Sequence, residues 1–148
     1  MDPYSTHLEA LVETAMHSKG PILELGCGHY STPVLASICA AQERKFLVQA
    51  SNEEWATQFT EIADVELVDW SNWTPPEGKW GMVFLDSEEA VRDRIKRLPA
   101  LAKVADVVVM HDANVAIKNA EWKSLIQDYR EIQVFHKHVP WTVVMLPK

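Results

Sequence analysis

The chain has 148 residues, 47% hydrophobic and 24% charged, a balance that supports one globular domain over residues 1–148 and excludes a disordered chain. Its 14 Lys and Arg against 21 Asp and Glu give a formal net charge of −7, which repels phosphate backbones and argues against nucleic acid as a partner. No apolar run nears the ~20 residues that cross a bilayer, and the opening MDPYSTHLEAL has neither a basic nor an apolar signal region, so no membrane partner and a cytoplasmic location are expected. The two cysteines, Cys27 and Cys39, then read as reduced thiols.

In chain order, Leu8, Leu11, Val12, Ala15 and Met16 recur at helical spacing. Pro21 to Leu25 is a short apolar run ending in glycine, which predicts a buried strand. Thr32 to Ala41 predicts a helix capped by Ser31 or Thr32, with Pro33 in its first turn. Lys45 to Ala50 predicts a second strand. Ser51 or Asn52 then caps a helix carrying Trp55, Phe59, Ile62 and Ala63 on one face. Val65 to Asp69 and Trp80 to Leu85 predict two more strands. Ser87 to Lys103 predicts a helix disturbed at Pro99. Ala105 to Met110 is a very apolar fifth strand, followed by a helix carrying Trp122, Leu125, Ile126 and Tyr129. Ile132 to Phe135 and Thr142 to Leu146 are two closing strands around His138-Val139-Pro140.

Strands alternating with helices predict an α/β fold, a doubly wound and mostly parallel sheet of about seven strands. The last two strands are too close for a crossover helix, so they form an antiparallel C-terminal hairpin at one edge. Such a sheet binds ligands at the carboxyl ends of its strands. Glu24-Leu25-Gly26-Cys27-Gly28-His29-Tyr30-Ser31 sits at that end of the first strand. Two glycines let the backbone turn sharply and let a ligand approach it; a plain strand-to-helix turn is the bland alternative.

ILELGCG resembles motif I of the class I S-adenosylmethionine (SAM)-dependent methyltransferases, and the order of elements is similar over nearly the whole chain. The resemblance implies a Rossmann-like sandwich with a reversed last strand. It also implies SAM as cofactor, with Glu24, Gly26 and Gly28 around its methionyl part, Cys27 contributing backbone, and Tyr30 lining the pocket. Ser31 stands where a dinucleotide fingerprint has its third glycine, so NAD fits less well. The family usually ends its second strand with an acid for the ribose hydroxyls, a few residues before a tryptophan. Ahead of Trp55 that place is Ala50, and Gln49, Ser51 or Asn52 are the available substitutes. Asp69 is the candidate for the adenine amino group, against a turn-capping role. Trp70 and Trp73 either cover adenine or substrate or cap the sheet edge. Trp55 and Trp122 read as core.

Phe84-Leu85-Asp86 and Met110-His111-Asp112 end two strands on the ligand side. Asp86, His111 and Asp112 are therefore the candidate catalytic residues, Asp86 being a candidate cofactor contact as well, with His111 as a general base or as a histidine bonded to the strand-end backbone. MVFLD resembles the catechol O-methyltransferase branch, where strand-end acids and the next asparagine hold magnesium. Here Ala113 takes the asparagine's place and Asn114 follows it, so a divalent metal is not favoured and no metal ligand is assigned. His136 and His138 alternate like strand ligands, but a hairpin loop explains them more simply. Arg92, Arg94, Lys96 and Arg97 alternate with Glu88, Glu89 and Asp93, which predicts a solvated face with Glu88–Arg92 and Asp93–Arg97 pairs. Together these features predict a SAM-dependent methyltransferase of a small-molecule acceptor, acting as a homo-oligomer. The alternative is a SAM-binding or SAM-consuming protein of the same fold without methyl transfer.

Overall fold

Three apolar runs decide the architecture. Ile22–Leu25 (β1), Met82–Leu85 (β4) and Val108–Met110 (β5) have every residue buried, which only a central strand covered on both faces requires. In the computed structural model, which describes residues 2–148, they lie side by side in the middle of one sheet. Phe46–Ala50 (β2) and Asp64–Leu67 (β3) extend it on one side, and Thr142–Pro147 (β7) and Tyr129–Phe135 (β6) on the other. The order is β3-β2-β1-β4-β5-β7-β6. The first five strands run parallel; β7 is antiparallel to both β5 and β6, so the closing hairpin forms as expected.

The two-residue period of the strands sorts the core into two layers. Leu23, Leu25, Val83 and Leu85 face a cluster with Leu98, Leu101 and Trp122. Ile22, Met82 and Phe84 face Leu11 and Ala15 of Leu8–His17 (α1) and Leu35 and Cys39 of Thr32–Ala41 (α2). Fully buried chains such as Phe84 and Leu85 contribute roughly 1.5–3 kcal/mol each.

Four expectations about elements are corrected. The second-strand helix is short: Asn52 caps Glu53–Ala56 (α3), a 3-10 turn follows, and Ile62 is exposed while Phe59 is buried. The predicted Ser87–Lys103 helix starts only at Val91. It comprises Val91–Arg94 (α4), a 3-10 turn and Leu98–Val104 (α5), where Pro99 occupies the first turn and needs no backbone donor. A helix that the sequence did not suggest, Ala113–Ala116 (α6), follows β5. Trp122–Leu125 (α7) ends early, and Tyr129 opens β6 instead of extending that helix. Its hydroxyl donates to the Leu98 carbonyl at 2.7 Å, a tertiary bond that local periodicity cannot register. No helix of the described residues is long and apolar enough to cross a membrane.

Candidate active site

The sheet order changes direction between β1 and β4, and their carboxyl ends open the crevice where ligands bind in this architecture. The glycine turn crosses that place. Gly26 has φ +90°, and a Cβ there would collide with the Asp86 backbone carbonyl, so the turn can pass over the end of β4 only with glycine. Gly28 differs: a Cβ there would make only an ordinary 3.5 Å contact with Ser31 Oγ. Its N–H donates to Thr32 Oγ1 at 3.0 Å, which secures the helix entry. Ser31 heads α2 but turns its hydroxyl to Glu24 instead of capping the helix.

Glu24 alternates onto the apolar face of β1 toward α2 and is fully buried. Burial pushes its carboxyl up to about 8, so it carries a proton at neutral pH, and Oε2 has no hydrogen-bond partner among the described residues. Cys27 is half-buried; burial, with the Glu24 and Glu88 charges, pushes its thiol up to about 12, which makes it a poor nucleophile. Its carbonyl accepts from Trp55 Nε1 at 2.7 Å. Trp55 is thus part of the site, not core as expected, whereas Trp122 is core. A cavity of about 500 Å³ opens here, lined by His7, Cys27, Gly28, Tyr30, Trp55 and Asp86 among others. Tyr30 lines it and donates its hydroxyl to Asp2 Oδ2 at 2.8 Å.

β2 ends on Ala50, which is fully buried and offers no carboxylate. A carboxylate arrives from elsewhere. Glu88, on the loop after β4, accepts from Ser51 N at 3.4 Å, Ser51 Oγ at 3.2 Å and Trp70 Nε1 at 2.7 Å. Gln49 is engaged on its own, donating to Glu66 and accepting from Trp73 Nε1 at 2.7 Å. Asp69 caps the 3-10 turn Trp70–Asn72, accepting from Ser71 N and Oγ and from Asn72, and these bonds hold its carboxyl below the usual range. The guanidinium of Arg97 lies 5.0 Å from the Trp70 ring and 4.9 Å from the Trp73 ring and pairs with both oxygens of Glu89 at 2.6 Å.

The predicted solvated arginine face is only half right. Arg92 is exposed and Lys96 pairs with Asp93 on the surface. Arg94 and Arg97 turn inward, and neither predicted i,i+4 pair forms, because Glu88 precedes the helix and Arg97 finds Glu89. Arg94 is 6% exposed, and its Nη1 joins Asp86 Oδ1 at 3.1 Å and Asp112 Oδ2 at 2.9 Å; Nη2 donates to the Ser87 carbonyl. The two strand-end acids do come together, but around a guanidinium. Asn114 Oδ1 accepts from the Trp141 N–H at 3.1 Å. An acid–acid–asparagine set for magnesium therefore does not fit these residues.

His111 is buried, its Nδ1 3.4 Å from Asp86 Oδ2 and its Nε2 3.0 Å from Thr6 Oγ1. His7, which no sequence pattern singled out, lies beside it with ring centroids 4.8 Å apart and packs on Phe84 at 5.1 Å. Burial, then the neighbouring His111, lowers its pKa to about 4, so its ring is neutral. The structure places Asp86, His111 and Asp112 near one another and sets His7, Arg94 and Glu88 around them. Glu88 had one available signal, its place on the loop after a central strand. Arg94 was hidden by the charge alternation around it, and the His136–Lys137–His138 segment is a loop.

The sequence matches no protein-family model and no curated protein. The structure is similar to a SAM-dependent O-methyltransferase from Thermotoga maritima, with TM-score 0.73 and 14% identity, covering 99% of this chain and 66% of that one. It is similar to the S-adenosylhomocysteine (SAH)-bound methyltransferase PaMTH1 of Podospora anserina, with TM-score 0.68 and 11% identity over 94% and 76% of the two chains. A third is the 23S rRNA methyltransferase ErmE, with TM-score 0.64 and 14% identity over 95% and 68%. This chain spans about two thirds of the length of the first and third. Its seven-stranded sheet, with the last strand reversed between β5 and β6, has the fold of the SAM-dependent methyltransferases.

Proposed function

We propose that this chain binds SAM at the carboxyl ends of β1, β2 and β4 and transfers its methyl group to a small-molecule acceptor. The observation that carries this is Gly28: no backbone strain or clash requires glycine there, yet the residue lines the cavity beside the β1 turn. A ligand approaching the backbone supplies a reason. The unpartnered Glu24 Oε2 and the cradle at Gly28 fit the polar methionyl end of that cofactor. In this reading Glu24, Gly26, Cys27 and Gly28 hold the methionyl part. Ser51 and Glu88 take the ribose hydroxyls, Glu88 replacing the acid that Ala50 lacks. Asp69 and Trp70 flank the adenine.

SAM, when bound, supplies an activated methyl group with its own leaving group. The protein's part is to position an acceptor over Asp86 and His111 and to hold the proton that the acceptor loses between Asp86 Oδ2 and His111 Nδ1. Asp112 acts through Arg94, which fixes the Asp86 carboxylate.

Calorimetry with SAM and SAH tests the binding; no heat at millimolar ligand rejects it. Glu88→Gln is expected to weaken SAM binding about tenfold or more, the cost of a lost charge-assisted contact. Binding without product across a broad acceptor screen, or breakdown of SAM alone, turns the reading toward the SAM-binding or SAM-consuming alternative that Ala50 favours. Sedimentation over a concentration range tests the accompanying homo-oligomer, which a concentration-independent monomer mass removes.

A further inference from the structure

His7, Asp86 and His111 come from three separate parts of the chain: the segment ahead of α1, the end of β4 and the end of β5. One ligand-type atom of each lies within 4.8 Å of the other two. The 3.4 Å between His111 Nδ1 and Asp86 Oδ2 suits neighbouring ligands on one ion with bonds of about 2.1 Å.

Three details go beyond proximity. The first concerns the His111 tautomer. The Thr6 hydroxyl has a single proton, and two carbonyls stand ready to accept it, Pro140 at 2.8 Å and Pro3 at 3.2 Å. The hydroxyl therefore accepts from His111, so Nε2 carries the hydrogen. The Nδ1 lone pair of a neutral ring then faces a carboxylate oxygen, an arrangement that needs a cation in the gap, either a proton or a metal ion.

The second detail is His7, which is 3% exposed and has no partner for either ring nitrogen among the described residues. A proton on His111 completes the His111–Asp86 pair but leaves His7 unsatisfied. A metal ion takes one nitrogen of His7 together with His111 Nδ1 and Asp86 Oδ2. The third detail is the surrounding support. Arg94 holds Asp86 through Oδ1 and leaves Oδ2 free, while Thr6 orients His111 through Nε2. Outer partners of this kind orient metal ligands.

We propose that His7, Asp86 and His111 form a binding site for a divalent first-row transition-metal ion, open on its remaining side to the cavity. Two imidazoles and one carboxylate select zinc, cobalt(II), nickel(II) or iron(II) over magnesium and calcium, which prefer oxygen ligands. The site shares Asp86 with the acid pair but not Asp112, whose carboxylate faces Arg94 and is not a ligand. With an ion bound, Asp86 and His111 would serve as ligands instead of proton acceptors; the ion would acidify an acceptor's O–H or N–H at its open position, and the proton would leave to solvent. The proposal does not depend on SAM, because metal binding is measured without it.

The test is titration of chelator-treated full chain with cobalt(II), read by visible absorption, and with zinc, read by calorimetry. One equivalent of each is expected to bind, with cobalt bands of a nitrogen- and oxygen-ligated site, and magnesium is expected not to compete. His7→Gln, His111→Gln and Asp86→Asn each weaken binding at least about a hundredfold. The double variant His136→Asn/His138→Asn leaves it unchanged. X-ray absorption of the cobalt-loaded wild type, showing two imidazoles on the ion, supports the site even where a variant fails to fold. Absence of cobalt binding at millimolar metal overturns the proposal. So does binding that survives both histidine substitutions, or that disappears with His136 and His138.

Discussion

Glu24 is an ionisable group on a strand face that the two-residue period commits to the core. Its carboxyl sits near 8 in the folded chain against 4.5 when unfolded. Between those values the folded state holds the extra proton, so this contribution to stability is full below pH 4.5 and is lost as pH rises through about 8. Between pH 5 and pH 8 the wild-type Tm is expected to fall by several degrees more than that of Glu24→Gln, as measured by scanning calorimetry. The two glycines of the turn separate in the same way. Gly26→Ala meets both a positive φ and the Asp86 carbonyl and is expected to cost on the order of 1–3 kcal/mol. Gly28→Ala has room and is expected to keep or slightly raise stability while SAM affinity falls. Denaturant midpoints and calorimetry of both variants check this. Arg94→Met leaves two carboxylates facing each other without their shared cation, an expected loss of about 3 kcal/mol read from the urea midpoint.

At the scale of elements, the loop after β4 explains where sequence and structure part. Helical spacing continues back through Ser87, and the charges alternate as on a solvated face. The segment is nevertheless a loop, because the Ser87 carbonyl accepts from Arg94 and the Glu89 carboxylate from Arg97. These partners come from the following turns and bring Trp70 and Trp73 with them. Arg97→Ala is expected to raise amide exchange at 70–73 and 87–90 while exchange in β1 and β4 stays slow, as hydrogen-exchange mass spectrometry would show. The glycine turn, by contrast, was legible: its residues, its place after β1 and the bounds of α2 follow from local chemistry alone.

For the whole molecule, both hydrophobic layers share one sheet, so unfolding is expected as a single transition. A ligand of the crevice then stabilises the entire chain. SAH at a hundred times its Kd is expected to add about 2.7 kcal/mol, and Gly28→Ala at the same concentration is expected to lose most of that gain.

The amino-acid sequence by itself determined the order of the strands along the chain, the reversed closing pair, the glycine turn and the strand-end positions of Asp86, His111 and Asp112, because each follows from periodicity or from a place at a strand end. It also marked the missing acid at Ala50. Only the tertiary structure decided what stands around them. Glu88 reaches Ser51, Arg94 joins Asp86 to Asp112, and His7 meets His111 across more than half the chain. Those contacts depend on which strands become neighbours, and a chain read one segment at a time does not contain that information.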